Sequence, residues 1–149
     1  MVFFAIVFII YYTVWLGNAR TAAEEQRSKE ALELVLTLSH SAEFAWTEKG
    51  CDQCIDFDKV LLLKERKSYS GFWNLGQLSV ERLYPLGKGE CTRTNYPDCS
   101  TITIINNTND KGISKGAFVN LCHYEVKGEP YVKCEIGRIY ASAKPIKTS

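Results

Sequence analysis

The stretch MVFFAIVFIIYYTVWLGNA, residues 1–19, holds no Asp, Glu, Lys or Arg, and its reading decides the fold. A bilayer core about 30 Å thick needs roughly 20 apolar residues at about 1.5 Å each. The run from Met1 to Leu16 falls short of that length. Tyr11, Tyr12 and Trp15 match the aromatic belt of a membrane–water interface, which leaves Met1 to Ile10 for the hydrocarbon. A secretory signal would open on basic residues and close at a small-residue cleavage site, and neither pattern is clear. We therefore expect residues 1–17 to be a transmembrane or filament-core helix segment, entered partway along a longer hydrophobic helix. The competing reading is a buried core helix, since uncharged runs also occur in cores.

Downstream, Asn18 to Thr47 contains neither proline nor glycine. Ala31, Leu34, Val35, Leu38, Ala42, Ala45 and Trp46 recur at three- and four-residue steps, which predicts an amphipathic helix running to about residue 47. One continuous rod of about 70 Å results if Gly17 does not break it, and two hinged helices if it does. After Lys49-Gly50, the run Cys51-Asp-Gln-Cys54 reads as a tight connector. Asp56 or Asp58 then caps a short second helix to about Lys67, with acids at its start and Lys64, Arg66 and Lys67 near its end. Residues 68–76 read as a loop, with Phe72 and Trp73 expected in the core.

From Leu75 the period changes to two, placing Leu78, Val80, Arg82 and Tyr84 on one strand face until Pro85 and Gly87 end it. Further strands are predicted at Thr101 to Ile105, Ala117 to Val126 and Tyr131 to Tyr140, the last two joined as a hairpin through Lys127-Gly128-Glu129. The fold class is α+β: a long hydrophobic-to-amphipathic helix, a short helix, then an antiparallel sheet of about four strands. Residues 18–149 form one extracytoplasmic domain, helical over 18–67 and β-rich over 75–142.

The chain has 149 residues and six cysteines. Cys91 and Cys99 bracket a turn-rich loop, and Cys122 and Cys134 face each other when the hairpin folds about residue 128, which leaves Cys51 with Cys54. Six cysteines admit 15 connectivities, but an even count behind an apolar segment favours disulfides in an oxidising compartment. Zinc would want two closely spaced ligand pairs; only Cys51-x-x-Cys54 is one, and His123 points away from Cys122, so no metal or other cofactor is expected. A redox Cys-x-x-Cys normally follows a strand in a βαβ unit, and here a long helix precedes it.

Eighteen Lys+Arg against 17 Asp+Glu give no cationic surface for nucleic acid. His40 reads as a helix residue and His123 as a strand residue. With no phosphate loop and no nucleophile or zinc-protease motif, neither an enzyme nor a small-molecule substrate is indicated. Asn106-Asn107-Thr108 is an N-glycosylation acceptor pattern or a plain Asn-rich turn. Arg20, Arg27 and Lys29 after the apolar run would keep the domain inside by the positive-inside rule. The cysteines and the acceptor site favour the outside, and we give them the greater weight.

This layout of hydrophobic helix, amphipathic extension and disulfide-bearing β head resembles type IV pilins, especially archaeal pilin-like proteins with class III signal peptides. The stretches Leu38-Ser-His-Ser-Ala-Glu-Phe44 and Cys54-Ile-Asp-Phe-Asp-Lys59 are similar to uncharacterised archaeal membrane-anchored proteins. The basic leader and peptidase site of pilin precursors would precede Met1. The resemblance implies assembly through Met1 to Leu16, with lipid or neighbouring copies as partners, in a homo-oligomer or filament with the head outside. The expectation is a non-enzymatic structural or surface subunit, single-pass in the cell membrane or part of an extracellular filament. The alternatives are a cell-envelope thiol-disulfide protein using Cys51 and Cys54, or an accessory subunit of a membrane complex.

Overall fold

The computed structural model describes residues 2–47, 51, 53–73, 75–107 and 114–143. Helix α1 spans Val2–Ser39 and passes through Gly17 without interruption, so one rod of about 57 Å forms and the hinged alternative is not realised. It ends eight residues earlier than the apolar spacing predicts. The Ser39 hydroxyl donates to the Leu36 carbonyl at 2.8 Å, and Nδ1 of His40 meets the same oxygen at 2.8 Å. Side chains thus satisfy the carbonyls that a further turn would need. The chain tightens instead, with Ser41 N–H donating to the Leu38 carbonyl at 3.0 Å. Ala45 and Trp46, which continue the predicted stripe, leave the helix, and Ala45 forms an extended bridge flanked by Phe44 and Trp46.

That bridge faces strand β1, Cys54–Asp56, where the residue pattern predicts only a connector and a helix cap. Trp46 N–H donates to the Cys54 carbonyl at 2.9 Å, and Asp56 N–H to the Phe44 carbonyl at 2.7 Å. Helix α2, Phe57–Glu65, is capped by Asp56, whose carboxylate accepts the Lys59 N–H at 3.0 Å. It ends two residues short of Lys67, where a 3₁₀ turn, Lys67–Gly71, replaces the expected loop. Strands β2 (Leu75–Tyr84), β3 (Thr101–Asn106), β4 (Ser114–Lys127) and β5 (Glu129–Ala143) follow.

The α+β class holds, but the sheet has five strands, in the order β1-β4-β5-β2-β3, and it is mixed, because β1 runs parallel to β4. The β4–β5 hairpin turns at Gly128, whose φ of +93° suits a residue without a Cβ. Gly137, paired with Val119, lies so close under Leu121 that a Cβ there would overlap it. Val119, Leu121, Leu78, Val80 and Ile139 give one sheet face to the core. Ala31, Val35 and Leu38 of α1, with Phe57, Val60 and Leu63 of α2, are buried from the helical side. The opposite face, with Phe118, Tyr124 and Ile136, is largely exposed. Trp73 packs on Phe44 with ring centroids 5.6 Å apart, whereas its neighbour Phe72 is 67% exposed, against the expectation that both enter the core.

Candidate functional site

Two regions carry the chemistry left over after the core is built. The first is the apolar half of α1. From Phe3 to Trp15 its large side chains are exposed on every side of the helix, Phe4 at 77% and Trp15 at 56%. A helix that is apolar all round is stable only inside lipid or against other protein. The helix is long and apolar enough to cross a membrane, and none of its most apolar window is buried within the chain. Tyr12 lies between Phe8 and Trp15, at centroid separations of 6.4 and 6.3 Å, so its ring joins a short aromatic column near one end of the apolar run. Tyr11 is exposed beside it.

The second region is the head. Its cysteines are joined as Cys51–Cys54, Cys91–Cys99 and Cys122–Cys134, with Cα separations of 5.6, 5.0 and 4.1 Å. Cys122 stands opposite Cys134 in the β4–β5 register, as folding about residue 128 requires. Cys91 and Cys99 are fully buried within the main core, while Cys51, Cys54 and Cys122 gather under Trp46 on the other side of the sheet. Asn106 is exposed at the end of β3, opposite Gln77, and Thr108 lies outside the described residues.

Sequence reasoning missed a polar network inside the head. Arg82 Nη1 meets Glu135 Oε2 at 2.7 Å with both side chains almost wholly buried, and Lys133 Nζ lies 2.7 Å from the other carboxylate oxygen. Burial alone would raise the Glu135 pKa, but the hydrogen bonds from Lys133 and Arg82 outweigh it and hold the carboxyl below its ordinary value. The same contact holds Lys133 above its own. His123 is buried beside this network with neither ring nitrogen hydrogen-bonded among the described residues, and desolvation lowers its pKa despite nearby Glu135 and Asp58. Tyr96 donates to Asp58 at 2.6 Å, so burial and the carboxylate keep its phenol protonated. The alternation that put Arg82 on the face of Leu78 and Val80 was the signal that a buried counterion had to exist.

A shallow cleft of about 190 Å³ among Glu43, Lys59, Leu62, Leu63, Arg66 and Tyr69 is smaller than the usual small-molecule site. Comparison of the chain with protein-family models, with curated proteins and with solved structures finds no match. What the fold and its exposed surfaces define is a single apolar N-terminal helix compatible with a membrane anchor or signal sequence, joined to a disulfide-bearing α+β head.

Proposed function

We propose that the protein is a non-enzymatic, membrane-anchored extracytoplasmic subunit of pilin-like type, whose heads are displayed by packing α1 against lipid or against other copies. One observation carries the reading. A single helix is apolar on every side over residues 3–15 and, one continuous rod later, seats Ala31, Val35 and Leu38 in the core of a disulfide-bearing head. Three disulfides support an oxidising exterior for that head.

The test is purification of the full chain in detergent, followed by detergent removal with negative-stain microscopy and, in parallel, reconstitution into liposomes. Filaments support assembly through α1. Monodisperse particles that insert into liposomes would replace the filament with a single anchor, and particles that remain monomeric and soluble without detergent would overturn both. Genomic sequence upstream of Met1 adds an independent check: a short Lys/Arg-rich leader ending in a small residue supports the pilin reading, and an in-frame stop there removes it.

A further inference from the structure

Three sulfur atoms from two different disulfides meet at one point of the head. The Sγ atoms of Cys51, Cys54 and Cys122 all lie within 4.8 Å of one another, and Cys134 Sγ is bonded to that of Cys122. The parallel pairing of β1 with β4 produces this meeting, because it sets Cys54 opposite Asn120 and Asp56 opposite Cys122. Cys54 and Cys122, one residue from each disulfide and 68 positions apart in sequence, are thereby brought to one sheet face under Trp46.

We propose that these four cysteines form a zinc site that opens when their two disulfides are reduced. The donor set fits: four thiolates favour zinc in a closed tetrahedral site, with Zn–S about 2.3 Å and hence sulfurs about 3.8 Å apart. Three of the four sulfurs already lie within 4.8 Å of one another, and the fourth, Cys134 Sγ, is attached to this group through Cys122. A swap to a Cys54–Cys122 disulfide fits less well. The two residues are offset by two positions across neighbouring strands, which places their Cα atoms about 8 Å apart. Disulfides rarely span more than about 7 Å between Cα atoms, whereas an ion between the sulfurs bridges the longer gap. His123 is excluded as a ligand, since it turns to the core face of β4.

Access selects these bonds over the third. Cys51 is half-buried and Cys134 exposed, so an external dithiol reaches one sulfur of each clustered disulfide, while Cys91 and Cys99 are sealed in the core. Each clustered disulfide takes two electrons and two protons from one dithiol, which leaves as its own disulfide. The zinc ion then displaces four thiol protons to solvent and leaves a site of net charge −2. The head is braced at the same place in both states, by two cystines or by one ion.

The test uses the full chain in detergent, treated with dithiothreitol without denaturant and then freed of reductant under argon. Four free thiols should titrate, and cobalt(II) should bind one per chain with the intense visible absorption of a tetrahedral tetrathiolate, bleached by zinc. Cys91→Ser/Cys99→Ser should keep that spectrum, and Cys51→Ser or Cys134→Ser should lose it. Because reduction itself could unfold the head, the thermal transition of the reduced chain is followed too, and zinc should raise it. Cobalt bound by two chains per ion, a spectrum that survives Cys134→Ser, or a reduced chain whose melting ignores zinc would each overturn the proposal.

Discussion

The two halves of α1 share one backbone helix but answer to different solvents. Val35, four turns into the second half, is completely buried, while Phe8 in the first half is 67% exposed. The second half keeps an apolar stripe at i, i+4 and i+7 through Ala31, Val35 and Leu38, because the head covers one side only. The first half has no charged side and exposes large apolar side chains all round, the pattern of a helix compatible with a membrane anchor or signal sequence. The contrast teaches that an apolar side chain in this helix is informative only when read with what lies across from it.

The largest test of that contrast is a matched pair of substitutions. Val35→Asp buries an unpaired carboxylate and should cost about 4 kcal/mol or more, abolishing the cooperative melt of the head. Phe8→Asp should leave that melt unchanged and reduce liposome association roughly 100-fold, in line with about 3 kcal/mol for a charge within a membrane helix. Head melting by near-ultraviolet circular dichroism and liposome flotation read the two effects separately. Melting of the head by Phe8→Asp would break the contrast.

Next in size is Arg82→Ala, which leaves the buried Glu135 with Lys133 as its remaining cation. A loss of about 3 kcal/mol in urea unfolding is expected, with flotation unchanged. The pH dependence follows from the same region. Glu135 is held below its ordinary value of 4.5, so its stabilising contribution is complete above that pH and is lost as the pH falls through the lower folded value. His123 is lowered from 6.5; the unfolded chain therefore takes up a proton first, and stability falls as the pH drops from 6.5 toward the folded value. Melting temperatures measured from about pH 8 down to about pH 2.5 should decline in two stages, the lower one below 4.5, and His123→Leu should flatten the upper one. Flotation should stay level, since Met1 to Ala19 holds no acid or histidine. The smallest effect is Asp56→Ala, which removes the α2 cap and should cost about 1 kcal/mol of head stability alone.

Much of this architecture was legible in residue order. The uncharged run and the stripe through Leu38 gave α1, and strict alternation gave β2 and the β4–β5 hairpin with its register. The end of α1 was not legible, because Ala42, Ala45 and Trp46 continue the helical spacing, whereas Ala45 in fact bridges to β1 and Trp46 is buried beyond a turn. Nor was β1, whose three residues are too few to show a period of two, and whose parallel partner begins more than 50 residues later. Losing β1 hid the sulfur cluster, since Cys54 and Cys122 meet only through that pairing. Arg82 announced a buried partner, but nothing local distinguishes Glu135 from the other acids.

Between Leu16 and Ala31 the helix is a shaft about 21 Å long whose described side chains are nearly all exposed, and no glycine or proline softens it beyond Gly17. Such a shaft acts as a lever. From Ile10 to Val35 the arm is about 38 Å, so a tilt of about 20°, ordinary for a membrane helix, carries the head sideways by about 13 Å. With α1 acting as the proposed anchor, small adjustments to bilayer thickness or to a neighbouring helix would be magnified into shifts comparable to the width of a helix at the head.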